Sequence, residues 1–263
     1  MELRSINLIS KHKFAKLLRS KIYWVFFIVG LGMLLMTLIP FLVAEEFRQE
    51  SGPMLLFIIS SFTKSYTFFG IFASVTVGSL VLIQDIRDGT LFPYLAKPVS
   101  RSAFIFGKII GAFKLMIIFW IFQVLYFMIL LYTVTDYGIT INLVLAFIYD
   151  LLLYFMLIVA TAFFSIFMHP VWAGIIVLVT YFLPSIAKLM IHTEWGFWTN
   201  LARVIWYIGP EYDVLSNWGN IIGSTLIYDT SQLQKLLYFA TLLLLFLIPT
   251  FYIFTRRNLT PKD

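Results

Sequence analysis

Six stretches of the chain are almost unbroken in apolar side chains, and the polar residues gather between them. The runs are Ile22–Val43, Tyr66–Ile83, Leu115–Tyr132, Leu143–Met168, Val171–Ile191 and Leu236–Phe254. Crossing a hydrocarbon core about 30 Å thick takes about 20 helical residues, and each run comes to about that length, so each predicts a membrane-spanning helix. A further run, Met54–Phe62, is too short to span; it predicts an interfacial segment or an outward extension of the second helix. The first segment, Met1–Lys21, has a different pattern. Leu3, Ile6, Phe14, Leu17 and Leu18 fall on one helical face, and most of Arg4, Lys11, Lys13, Lys16, Arg19 and Lys21 fall on the other. That arrangement predicts an amphipathic helix on an anionic cytoplasmic leaflet. The alternative, a cleaved signal peptide, suffers from a cationic region and a following apolar run that are both too long.

Composition agrees with the pattern. Of 263 residues, 61% are hydrophobic and 12% charged, against about 45–50% and about 25% in soluble domains. A soluble enzyme, a disordered chain and a nucleic-acid binder are excluded, despite the net charge of +6. The chain has no cysteine, which removes disulfides, thiolate nucleophiles and zinc–thiolate sites. The few charges are unevenly placed. Fourteen of the 19 Lys and Arg lie in the N-terminal segment, in the loop between spans two and three, and in the tail. Most acids, among them Glu45, Glu46, Glu50, Asp136 and Glu211, lie in the other loops. The positive-inside rule therefore puts both termini in the cytoplasm of a multi-pass protein of the cytoplasmic (inner) membrane.

Two features inside the spans have two readings each, and an outer segment adds a third. Gly70, Ser74 and Gly78 make a small-x-x-x-small stripe on span two, a seam for a dimer or translocation path, or ordinary packing within one subunit. Gly107 and Gly111 repeat that spacing near the cytoplasmic end of span three. Asp150 is the one acid inside a span, where a carboxylate costs about 2.5–3.5 kcal/mol on insertion scales. It is a substrate or proton contact, or the acceptor of a hydrogen bond from a neighbouring helix's Tyr or Thr. The outer segment 192–235 holds Trp195, Trp198, Trp206 and Trp218. Its apolar positions Trp198, Leu201, Ala202 and Ile205 share a helical face, and Val214–Tyr228 forms a second apolar stretch, so short half-buried outer helices are expected. His12, His169 and His192 are too dispersed to hold one metal, and no catalytic constellation is present.

The cytoplasmic loop after span two carries the most structured polar pattern. It reads Asp85-Ile-Arg-Asp88-Gly89-Thr90-Leu91-Phe-Pro-Tyr94-Leu95-Ala-Lys97-Pro98-Val99-Ser100-Arg101 and continues to Gly107-Lys108. Asp88 or Thr90 can cap a short helix whose apolar face is Leu91, Tyr94 and Leu95. Pro98 ends it, and Ser100 or Ser102 can cap the helix leading into span three. On physics alone the segment is a solvated positive loop or a docking helix for a soluble partner.

Asp85, Gly89, Thr90, Leu91, Leu95, Pro98, Val99, Ser100, Arg101, Gly107 and Lys108 together resemble the membrane subunits of type-2 ABC exporters. Within that family the Lys97-to-Arg101 wording is similar to permeases grouped with multi-copper-enzyme maturation. Asp85 departs from the Glu usual there. The resemblance implies an all-α polytopic fold: an elbow helix over 1–21, spans one and two over 22–83, a coupling-helix loop over 84–103, spans three to five over 104–191, an outer interfacial loop over 192–235, and span six with a basic tail over 236–263. It implies that residues near 86–98, with Asp85, Asp88, Gly89, Leu91, Leu95, Pro98 and Arg101 as the key positions, dock on a cytoplasmic ABC ATPase. It also implies two ATPase copies, a second permease subunit (identical or not), and an outer gate at Trp198, Ile205 and Trp218. No phosphate-binding Gly-x-x-x-x-Gly-Lys-Ser/Thr is present, since Ser102 stands where its first Gly is needed, so ATP and Mg2+ are expected on the partner and no cofactor on this chain. The rival reading is a stand-alone secondary transporter or membrane scaffold.

Overall fold

In the computed structural model, the structure describes residues 2–21, 23–32, 53–82, 100–134, 141–191, 196–208 and 230–256. These residues form eight helices. They are α1 (Glu2–Leu18), α2 (Tyr23–Gly32), α3 (Pro53–Ser79), α4 (Arg101–Val134), α5 (Ile141–Phe167), α6 (Pro170–Ile191), α7 (Gly196–Ile208) and α8 (Thr230–Arg256). Among the described residues four helices are long and apolar enough to cross a membrane: α4, α5, α6 and α8. The short run at Met54–Phe62 takes the second of its two expected forms: it belongs to α3, which continues unbroken for 27 residues. At 1.5 Å per residue α3 is about 40 Å long. Of the expected span one, only Tyr23–Gly32, as α2, lies among the described residues.

The helices pack around α5. Two thirds of its apolar window (67%) is buried within the chain, against 17% for α8. It touches α3, α4, α6 and α8. Lipid tails give helices no hydrophobic reason to associate with each other, so contacts rest on close van der Waals fit and polar links. Much of the fit is aromatic: Phe113 packs on Phe155, Phe127 on Phe147, and Phe163 and Phe164 on Phe246. The outward faces of α4, α6 and α8 carry large exposed apolar side chains such as Leu125, Trp172 and Leu245, as lipid-facing surfaces do.

Local chemistry sets the ends. Ser100 caps α4, its Oγ accepting from the Ala103 amide at 3.2 Å. Met168 and His169 make the tight link from α5 to α6, with Pro170 at the first helical position, where no amide is missed. α7 opens on Gly196 at φ 37°, a left-handed conformation that disfavours a Cβ. α7 packs against α6.

Candidate functional site

The loop whose pattern stands out in the sequence leaves α3 after Ser79 and re-enters the bundle at Ser100. Asp85, Asp88, Gly89, Thr90, Leu91, Leu95, Pro98 and Val99 lie outside the described residues. Its two roots are described, and α1 is built against both.

At the first root, α3 ends in a tightened turn. The Leu80 amide donates to Val77 O at 3.2 Å and the Val81 amide to Gly78 O at 3.1 Å. A helix C-terminus leaves its last carbonyls without helical donors. One of these groups, Leu80 O, accepts from the Lys13 ammonium of α1 at 2.6 Å. A cation there is also favoured by the negative end of the helix dipole. Lys13 is fully buried, on the same face as Ile9, Ser10 and Leu17. The sequence pattern puts most of the cations of α1 opposite its apolar face; the structure puts this one inside that face. It also directs the face onto α4, while Leu3 is 84% exposed.

At the second root, α1 crosses α4 at Gly107 and Gly111. A Cβ on Gly107 would sit 2.9 Å from Ile9 Cβ and 3.0 Å from Ile6 O; one on Gly111 would sit 2.7 Å from Ser10 O and 2.8 Å from Lys13 Cβ. The small-residue spacing is thus the groove in which α1 lies. Lys108, between them, is buried, with its ammonium 5.1 Å from the Phe104 ring centroid. Arg101, at the start of α4, donates from Nη1 to Thr255 O at 2.8 Å, linking this root to the last turn of α8. Phe104 stacks on Phe254 beside that bond, with centroids 6.3 Å apart.

Deeper in the bundle lies a second polar cluster. Asp150 on α5 is fully buried, and its Oδ2 accepts from Thr67 Oγ1 of α3 at 3.1 Å and from Gln123 Nε2 of α4 at 3.5 Å. The Tyr154 hydroxyl donates to Gln123 Oε1 at 3.3 Å. One carboxylate thereby joins three helices, and one of its donors is a threonine of a neighbouring helix. Gly70, Ser74 and Gly78 are buried beside this cluster, facing α5 of the same chain. A Cβ on Gly70 would overlap the Tyr154 ring and hydroxyl, and one on Gly78 would lie 3.0 Å from the Ile158 backbone. Ser74 bonds its own helix at Gly70 O, 2.6 Å away. The stripe is therefore occupied within this bundle, by Tyr154 and Ile158.

On α7, Ala202 is buried and Ile205 half-buried, while Trp198 is 52% and Leu201 39% exposed. Trp218 lies outside the described residues. The sequence offers no cue to the link from Lys13 to Leu80, because the spacing of lysine around α1 says nothing of the α3 carbonyl. Among the described residues no group of three His, Asp or Glu gathers as a metal site.

A family model described as "ABC-2 family transporter protein" matches residues 11–185, about two thirds of the chain. The chain belongs to the ABC-2 transporter family. It is accordingly a multi-pass membrane subunit of a transporter, and family membership implies association with an ABC ATPase and the lipid bilayer. The ABC-2 match begins within α1 and covers α3, α4 and α5, the helices that form both polar sites. Among curated proteins no relative matches the chain.

Proposed function

We propose that this ABC-2 subunit is the permease half of an ATP-driven exporter, with six spans and both termini in the cytoplasm. It works with a second permease subunit and two copies of a soluble ATPase, which binds the ATP and Mg2+. Residues 86–98 are the docking segment, with Asp85, Asp88, Gly89, Leu91, Leu95, Pro98 and Arg101 shaping it. The observation that supports this reading is the anchoring of that segment's two roots: α1 grips both, through Lys13 at Leu80 and through the glycine groove of α4. Force applied to a loop so held is delivered to α3 and α4 instead of being lost in the loop. Trp198, Ile205 and Trp218 form part of the outer gate.

The test is co-purification. The wild-type chain is expected to carry an ABC ATPase through purification, and Leu91→Glu or Leu95→Pro to release it without unfolding the bundle. A chain that purifies alone, with nucleotide affecting none of its properties, is instead a stand-alone transporter or scaffold.

A further inference from the structure

Lys13 is an unusual choice for its position. Its neighbours on the buried face of α1 are Ile9, Ser10, Phe14 and Leu17, and an apolar side chain would fill the same space without taking an ammonium out of water. What a cation adds is a directed bond. Its donor reaches across to the end of α3, a helix 67 residues away in sequence, at 2.6 Å. The backbone of α1, meanwhile, is seated against Gly107 and Gly111 so closely that neither glycine has room for a methyl group. α1 therefore cannot slide along α4, and through Lys13 it holds the end of α3 as well. Packing fixes one root of the 83–99 loop and a charge-assisted hydrogen bond fixes the other.

We propose that Lys13 is a positioning residue for energy coupling, making α1 a strap that holds the two roots of the loop at a fixed separation. This rests on the reading of that loop as the ATPase-docking segment. A strapped loop moves as one piece when the ATPases close; an unstrapped one lets α3 and α4 part, and the stroke is lost between them. Lys13 itself touches no ATPase in this account, so the substitution leaves docking alone.

The absence of native cysteines makes the test direct. Spin labels are placed on Arg19→Cys, just after α1, and Phe167→Cys, at the end of α5, both at exposed positions. Their separation is measured in the full complex, nucleotide-free and trapped with ATP and vanadate. In the wild type the distance distribution is expected to shift on trapping. In Lys13→Met, which keeps length and volume but loses the donor, the ATPase is expected to co-purify as before, while the shift falls at least twofold. Lys13→Arg, which keeps a charged donor, is expected to recover it. A Lys13→Met shift equal to that of the wild type overturns the proposal, as does a wild-type distance indifferent to nucleotide. Loss of the ATPase from the wild-type preparation overturns the docking reading, and the strap with it; loss from Lys13→Met alone shows a docking role instead and also overturns it.

Discussion

Gly111→Ala adds one methyl group at the closest approach of α1 and α4. The new Cβ would stand 2.7 Å from Ser10 O and 2.8 Å from Lys13 Cβ. Neither neighbour can rotate aside, because one is backbone and the other is fixed to it. Ordinary contact needs about 3.5–4.0 Å between carbons, so α1 must lift by about 1 Å. A lift of that size also strains the 2.6 Å bond from Lys13 to Leu80 O. Overpacking of this kind costs about 1–3 kcal/mol. Gly32→Ala is the control, since among the described residues nothing lies within 4 Å of a Cβ there, and replacing a helical glycine by alanine is favourable by about 0.5–1 kcal/mol. The two substitutions, chemically identical, are expected to act with opposite sign. Unfolding of the purified protein in detergent, followed by tryptophan fluorescence, measures both. A Gly111→Ala protein as stable as Gly32→Ala would refute the close α1–α4 crossing.

Three further outcomes follow from the geometry. Asp150→Leu strands the Thr67 hydroxyl and the Gln123 amide in the bundle and is expected to cost about 1–3 kcal/mol in the same assay, whereas Asp150→Asn, which keeps an acceptor, costs less; equal stability of the two would remove the three-helix junction. Ser100→Ala takes the cap from α4 and is expected to cost about 1 kcal/mol, with no loss if the Ala103 amide has another acceptor. In sealed cells, a cysteine at Arg19 is expected to react with an impermeant maleimide only after lysis, and one at the exposed Tyr207 before it; the reverse would invert the proposed orientation.

What the sequence revealed followed from what periodicity can carry. Long apolar runs mark helices whatever their neighbours, and α4, α5, α6 and α8 lie where those runs predict. The pattern of α1 gave its helicity but not its partner, because an apolar face fits a leaflet and a groove of glycines equally well. The Gly107 and Gly111 spacing was visible, yet its occupant was not, since only tertiary structure brings Ile6, Ile9 and Ser10 onto it. Asp150 was legible as a buried acid, for a lone carboxylate in a span needs donors. That Thr67 and Gln123 supply them depends on helix order around α5. Lys13 was hidden most completely: a lysine on a cationic helix looks like solvated charge until the carbonyl opposite it is seen.

The central claim, a permease driven by a separate ATPase, is tested most directly by the composition of the intact complex. The chain, co-expressed with the ABC ATPase encoded nearest to it, is solubilised and weighed by native mass spectrometry. Two permease subunits with two ATPases are expected, falling to permease alone when Leu95→Pro is introduced. A wild-type permease that appears without any ATPase, and is indistinguishable from Leu95→Pro, would contradict the account.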